Sequence, residues 1–143
     1  MDKVILITPE RTLREVEIDF ENSSGNSANN KIREYIGNNC MAYEIAPPYL
    51  LLNMFQLSTY PSQNSPYGFL LIIDEEGKFK ANKKNEIATV IFGNDYDYIV
   101  GNALLVATKK TASGDVDFCG IPSEWLLIIE KVLSKAKKAI EEI

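Results

Sequence analysis

The stretch Tyr98–Thr108, YIVGNALLVAT, decides how the rest of the chain is interpreted, because it carries no charge and is dominated by aliphatic side chains. Its β-branched and aliphatic side chains predict a central strand that is buried on both faces. Gly101 interrupts the run, which predicts a bulge, a bend, or a close approach by another backbone or a ligand. Of these, a packing bend is favoured over a ligand contact.

Further strands are predicted on both sides of this segment. They are expected at Lys3–Thr8, Leu13–Phe20, Cys40–Ala46, Tyr49–Leu52, Phe69–Asp74 and Val116–Cys119. The first two are expected to form a hairpin that turns after Pro9, since proline cannot donate to a strand ladder. Asp74–Gly77 predicts a turn whose second arm is Lys78–Ala81. The segment 82–92 fits a short helical turn and a strand equally well.

Two helices are predicted. The first follows a cap at Asn26 or Ser27 and ends at Gly37. The second starts near Pro122 and carries a wide apolar stripe opposite a charged face. The stripe consists of Trp125, Leu126, Ile128, Ile129, Val132, Leu133, Ala136 and Ile140. The fold class is therefore α+β: a mostly antiparallel sheet of about five to seven strands, one short helix, and a long C-terminal amphipathic helix on one face.

Composition limits the classes of function. The 143 residues fit a single domain, residues 1–143, and carry a net charge of -5. This charge argues against direct DNA binding, because phosphate-backbone binders are usually basic. The N-terminus lacks a signal-peptide layout and no apolar run is long enough to span a membrane, so we expect a cytoplasmic protein. Cys40 and Cys119 have no motif spacing and are expected to be reduced.

The sequence contains few of the residue arrangements that enzymes use for catalysis. The chain contains no histidine, which removes Ser-His-Asp and Cys-His arrangements and histidine-type zinc sites. No phosphate-binding glycine motif is present, and no cofactor is expected. Two D-x-D pairs, at 95 and 97 and at 115 and 117, could supply metal ligands. A simpler explanation is favoured, in which the two aspartates of each pair lie on the solvent-exposed side of an extended segment. We therefore expect a protein that is not an enzyme.

Two features predict a binding surface. Residues 53–68 contain no charge but several aromatic side chains, and they have the appearance of an inserted loop that contacts a ligand, a partner or its own domain. Lysines cluster at positions 78, 80, 83 and 84, and again at 109 and 110, and could hold a small anion or form a solvated face. The residues predicted to contact a ligand or partner are Phe55, Tyr60, Gln63, Asn64, Tyr67, Lys83, Lys84, Asn85 and Tyr96.

The order of these features resembles a family of small proteins from bacteriophages, prophages and conjugative elements that is known only as a domain of unknown function. The resemblance spans nearly the whole chain and rests on the segments 5–9, 16–19, 32–45, 72–78, 82–87 and 99–106 and on the helix after Pro122. The chain departs from the family pattern in the segment 53–68, in Lys83 and Lys84, which stand where prolines are frequent, and in its longer terminal helix. The resemblance implies a mobile-element context in a bacterial cytoplasm, in which small non-enzymatic proteins often antagonise host defence.

Three hypotheses remain open from the sequence. The first is a homo-oligomeric protein that binds and sequesters a small nucleotide signal. The second is a direct inhibitor of a host defence protein, such as a nuclease or restriction complex. The third is a metal-dependent hydrolase that uses the aspartates. The sequence does not identify the ligand or the target.

Overall fold

The computed structural model describes residues 2–21, 25–37, 39–80 and 82–143, with the backbone alone at residues 25 and 26. Within this part of the chain six strands form one antiparallel sheet. The strands are β1 (Asp2–Ile7), β2 (Leu13–Ile18), β3 (Tyr43–Ala46), β4 (Tyr67–Asp74), β5 (Ala103–Lys110) and β6 (Val116–Cys119). Their order is β2-β1-β5-β4-β3, and β6 pairs with the last residues of β5.

The described residues also form four α-helices, which cover both faces of the sheet. They are α1 (Gly25–Ile36), α2 (Tyr49–Phe55), α3 (Glu86–Phe92) and α4 (Ser123–Glu141). Helix α1 covers one face through Ile32 and Ile36. Helices α2, α3 and α4 cover the other face, where Trp125 lies edge-on to Phe69 with 5.7 Å between ring centroids. This arrangement confirms the predicted α+β class and the long C-terminal helix.

Strand β5 is buried on both faces, as predicted for the central segment of the sequence. Leu104 and Val106 point to the α1 face, whereas Leu105 and its neighbours of the same parity point to the opposite face. The strand begins only at Ala103, however, and not at Tyr98. Gly101 lies between the two, with a φ of 75° that L-residues rarely adopt. The predicted bend is therefore confirmed.

The predicted fourth strand at Tyr49–Leu52 is wrong, because this segment forms α2. Leu51 and Leu52 are buried in the core, and the amide of Leu52 donates to the carbonyl of Pro48 at 3.1 Å. The paired prolines end β3 but do not oppose a helix that starts just after them, since proline is tolerated in a first helical turn. Gln56, with a φ of 54°, ends this helix.

Three smaller expectations are corrected. The predicted hairpin arm Lys78–Ala81 is not a strand: Gly77–Phe79 form a 3₁₀ turn, and residue 81 lies outside the described residues. Helix α1 already starts at Gly25, ahead of the predicted cap residues 26 and 27. Ile128, assigned to the apolar stripe of α4, has 40% of its surface exposed. The ambiguous segment 82–92 contains α3.

Candidate ligand-binding groove

The uncharged segment expected to be an inserted loop is partly regular structure. Its first three residues, 53–55, complete α2, and its last two, 67 and 68, begin β4. The remaining residues, 56–66, form the connection between them and are called the aromatic loop below, although only Tyr60 among them is aromatic. This connection is short enough to be held by a few hydrogen bonds to the sheet.

The aromatic loop is fixed to the ends of β4 and β5. The hydroxyl of Thr108 donates to the carbonyl of Thr59 at 2.7 Å, and the amide of Phe69 donates to the carbonyl of Ser58 at 3.1 Å. Gly68 permits this contact, because a Cβ there would lie 2.3 Å from the carbonyl oxygen of Thr59. The loop is thus folded back on its own domain, which was one of the interpretations open for this segment.

The tip of the aromatic loop is braced by its own polar groups. Ser62 and Ser65 exchange backbone hydrogen bonds of 2.9 and 3.3 Å, which closes a tight turn. The side-chain amide of Asn64 donates to the carbonyl of Gln56 at 3.0 Å. Asn64 therefore holds the turn closed, while Gln63 beside it is exposed and has a free amide as far as the described residues show. A turn held in this way presents its side chains in a defined direction.

A groove opens between the aromatic loop and the end of β5. We call it the loop groove; its volume is about 660 Å³. It is lined by Pro61, Ser62, Gln63, Pro66, Tyr67, Lys109 and Lys110. It combines an aromatic ring, an amide, a hydroxyl and two ammonium groups, and its size falls in the range of about 300–1,000 Å³ that is typical of small-molecule sites.

A second groove shares the two lysines of the first. We call it the hairpin groove; its volume is about 590 Å³ and it runs along the β5–β6 hairpin. Its walls are formed by Phe20, Glu21, Ala28, Asn29, Lys109, Lys110, Thr111, Ala112, Asp117, Phe118 and Cys119. Phe118 packs against Tyr43 with 6.4 Å between the ring centroids, which fixes the back wall.

The two shared lysines differ in their electrostatic surroundings. The ammonium of Lys109 lies 2.8 Å from a carboxylate oxygen of Glu21, and this hydrogen bond raises the pKa of Lys109 and lowers the pKa of Glu21. Lys110 is exposed and makes no ion pair with any residue that the structure describes. Lys110 thus supplies the positive charge that is not neutralised at the junction of the grooves.

Three of the four lysines in the other cluster, Lys78, Lys80 and Lys84, make contacts within the protein. Lys78 bonds to Asp97, which lowers the pKa of that carboxyl, and the Lys78 ammonium also lies 4.5 Å from the centre of the Tyr98 ring. The ammonium of Lys84 lies 5.8 Å from the same ring. Lys80 bonds to the buried carboxylate of Asp74 at 2.6 Å. The Lys78 contacts connect the 3₁₀ turn to the segment before β5, and the Lys80 contact ties the residue after the turn to the end of β4.

Asn85 is a buried residue that connects three parts of the fold. Its side chain is fully buried, and its amide donates to the carbonyls of Ile7 at 2.9 Å and Gly101 at 2.8 Å. Its side-chain oxygen accepts the amide of Ala88 at 3.1 Å and so caps α3. No ligand can reach this side chain in the folded protein, so its assignment to a binding site is corrected to a joint between β1, the Gly101 bend and α3.

The predicted site residues are distributed over three places. Gln63 and Tyr67 line the loop groove, with Asn64 and the half-exposed Tyr60 in the same loop. Lys83, Lys84 and the fully exposed Tyr96 lie in the segments around the second lysine cluster and are not among the residues that line the loop groove. Phe55 is partly buried and packs edge-on against Trp125 at 5.4 Å, so it belongs to the core face.

Sequence reasoning noted Lys109 and Lys110 as a positive pair but did not include them among the site residues. The strand register explains their position, since Lys109 lies opposite Tyr67 across β4 and β5. The residues Pro61, Ser62, Pro66 and Phe118 were also missed. If the antiparallel pairing of β4 with β5 had been predicted from the sequence, the uncharged loop and these two lysines would have been placed side by side.

The surroundings of the aspartates do not indicate a metal site among the described residues. Over residues 2–21, 25–37, 39–80 and 82–143, no group of three or more acidic, cysteine or histidine side chains is arranged to hold a metal ion. Asp97 bonds to Lys78, and Asp115 accepts from Ser113 at 3.3 Å. Both cysteines are free and buried, and burial raises the pKa of the Cys119 thiol to about 11.

Comparisons of this chain with protein-family models, with curated proteins and with solved structures found no match. Among the helices of the described residues, none has the length and apolar character needed to cross a membrane.

Proposed function

We propose that this protein is a non-catalytic binding protein for a small nucleotide, which it holds in the loop groove and so removes from a host effector. The observation that carries the proposal is the meeting of Tyr67, Gln63 and the unpaired Lys110 around one groove of the described residues. An aromatic face can stack a base, an amide can pair with its polar edge, and an ammonium can bind a phosphate.

The rigidity of the groove supports this proposal. The loop is held by Thr108 at the sheet and by the Ser62–Ser65 turn at its tip, so little ordering is required when a ligand binds. The resemblance to small proteins of phages and conjugative elements supports sequestration of a host signal as the purpose of binding. We also propose that the protein acts in the cytoplasm as a homo-oligomer.

The test is a thermal-shift measurement with a panel of nucleoside monophosphates, cyclic nucleotides and ADP-ribose. A ligand present at 100 times its dissociation constant stabilises the folded state by about 2.7 kcal/mol. For a chain of this size that corresponds to a rise in Tm of roughly 8 °C. A panel that leaves Tm unchanged at millimolar concentrations would reject the proposal.

Paired variants locate the site. Lys110→Gln and Gln63→Ala are expected to reduce the shift, because each removes one contact from an exposed position. Lys131→Gln, on the exposed face of α4 and with no ion pair among the described residues, removes the same charge away from the groove. If Lys131→Gln reduces binding as much as Lys110→Gln, the interaction is only a response to net charge.

A second candidate function, inhibition of a host protein through direct contact, is favoured by a separate observation. Phe79 and Tyr96 have 91% and 98% of their surfaces exposed, and the Lys78–Asp97 bond brings their segments together. Exposed aromatic residues are enriched at protein interfaces. Phe79→Ser with Tyr96→Ser should abolish inhibition of the target with no change in Tm, and retained inhibition would exclude this surface.

A further inference from the structure

The loop groove and the hairpin groove meet at the same two side chains, Lys109 and Lys110. Each groove has its own aromatic wall, formed by Tyr67 in the first and by Phe118 with Phe20 in the second. Each is also large enough for a small ligand by itself. Tyr67 packs on the α2, α3 and α4 side of the sheet and Phe118 on the α1 side, so the two grooves lie on opposite faces and share the lysines at the end of β5.

Charge is distributed unevenly between the junction and the hairpin groove. Lys109 is balanced by Glu21, and Asp117 lies directly opposite Lys109 in the pairing of β5 with β6. A phosphate would be repelled by these two carboxylates, whereas a neutral base can lie against Phe118. The favourable place for negative charge is therefore Lys110, which has no ion-pair partner among the described residues.

From this arrangement we propose that the ligand is a dinucleotide, with one base in each groove and its linking phosphates at Lys110, which lines both grooves. The inference rests on the proposed function, since it specifies which nucleotide the loop groove holds. A mononucleotide would fill the loop groove alone and would leave the aromatic wall at Phe118 unused. The carboxylate of Asp117 and the amide of Asn29 are then available to the polar edge of the second base.

The experiment compares dissociation constants by isothermal titration calorimetry of the full chain. The probes are the linear dinucleotides pApA and pGpG against the mononucleotides AMP and GMP, at one fixed salt concentration. Stacking of a second base contributes enough to tighten binding by about fivefold or more. At least one dinucleotide should therefore bind about fivefold or more tightly than its mononucleotide.

Two variants of the hairpin groove make the comparison specific. Phe118→Leu should weaken dinucleotide binding by about fivefold and change mononucleotide binding by less than about twofold. Ala112→Glu, at an exposed position in the hairpin turn, should do the same by placing a negative charge in the groove without altering the core. Phe79→Leu is the matched control, because this ring is exposed and lines neither groove.

The outcomes are distinguishable. Equal affinity for mononucleotides and dinucleotides, or equal effects of Phe118→Leu and Ala112→Glu on both, would overturn the dinucleotide inference and leave the proposed function intact. Absence of binding by all four probes and by the wider nucleotide panel would overturn both. Tighter dinucleotide binding that both variants remove supports the inference.

Discussion

Asn85 offers the sharpest test of how the structure holds its central bend. Its side chain caps α3 and also donates to the carbonyls of Ile7 and Gly101. In Asn85→Ala, loss of the cap costs about 1 kcal/mol. The two carbonyls that lose their donor cost about 1 kcal/mol or more each. We therefore expect the free energy of unfolding to fall by roughly 3 kcal/mol, a large part of the roughly 5–15 kcal/mol that is typical of a domain.

Asn85→Ser separates the two roles of this side chain. Serine is a good N-cap but is too short to donate to both carbonyls, so this variant should lose roughly 2 kcal/mol. Lys83→Ala is the control, because its exposed side chain is two residues away and such surface changes are usually within about 0.5 kcal/mol.

Urea denaturation followed by fluorescence measures these differences. The single tryptophan, Trp125, packs between Phe55 and Phe69 and reports on the core. A loss of less than about 1 kcal/mol in Asn85→Ala, or a serine variant as stable as the wild type, would refute the assignment of Asn85 as a joint.

Three further outcomes are expected. Gly68→Ala should displace the aromatic loop, because its Cβ would meet the Thr59 backbone at 2.3 Å; urea denaturation should show a loss of about 1–3 kcal/mol, and wild-type stability would contradict the contact. A hydrogen bond with Glu15 raises the pKa of Glu130 in the folded protein, so the stability that Glu130 contributes is present in acid and is lost as pH rises through that raised pKa. The Glu130→Gln variant should therefore have a higher Tm than the wild type at pH 7, and the difference in Tm should shrink toward pH 4. A difference in Tm that does not depend on pH would argue against the hydrogen bond between Glu130 and Glu15. Burial raises the pKa of Cys119 to about 11, so iodoacetamide at pH 8 should label this thiol only after unfolding, as mass spectrometry of the intact chain would detect.

Most of the sheet could be predicted from local patterns. The alternation in β2 and the continuous apolar runs of β1, β4 and β5 are direct consequences of which faces are buried. The bend at Gly101 was predictable because a glycine inside an otherwise apolar run commonly marks a bend or a bulge. Helix α4 was predicted from its 3.6-residue apolar repeat, which tertiary context reinforces.

The errors come from segments whose structure depends on distant partners. Tyr49–Leu52 is too short for its periodicity to distinguish helix from strand, and α2 forms because Leu51 and Leu52 reach a core built by other elements. Asn85 was taken as a site residue because a polar side chain in a short motif gives no sign of burial. Its partners, Ile7 and Gly101, lie 78 and 16 residues away in the chain.

Only part of the candidate site could be predicted from the sequence. Composition singled out the aromatic loop, which has no charge. The lysines that complete its groove lie more than 40 residues further on, and only the pairing of β4 with β5 brings Lys109 opposite Tyr67. The other lysine cluster attracted attention by its density, yet Lys78, Lys80 and Lys84 contact Asp97, Asp74 and Tyr98 respectively.

The central claim is that the loop groove binds a nucleotide, and native mass spectrometry of the purified chain with the nucleotide panel tests it most directly. The account predicts a complex with one nucleotide per chain that is reduced in Lys110→Gln and retained in Lys131→Gln. The same spectra report the oligomeric state. Spectra that show only the mass of the protein itself at every nucleotide concentration would contradict the claim.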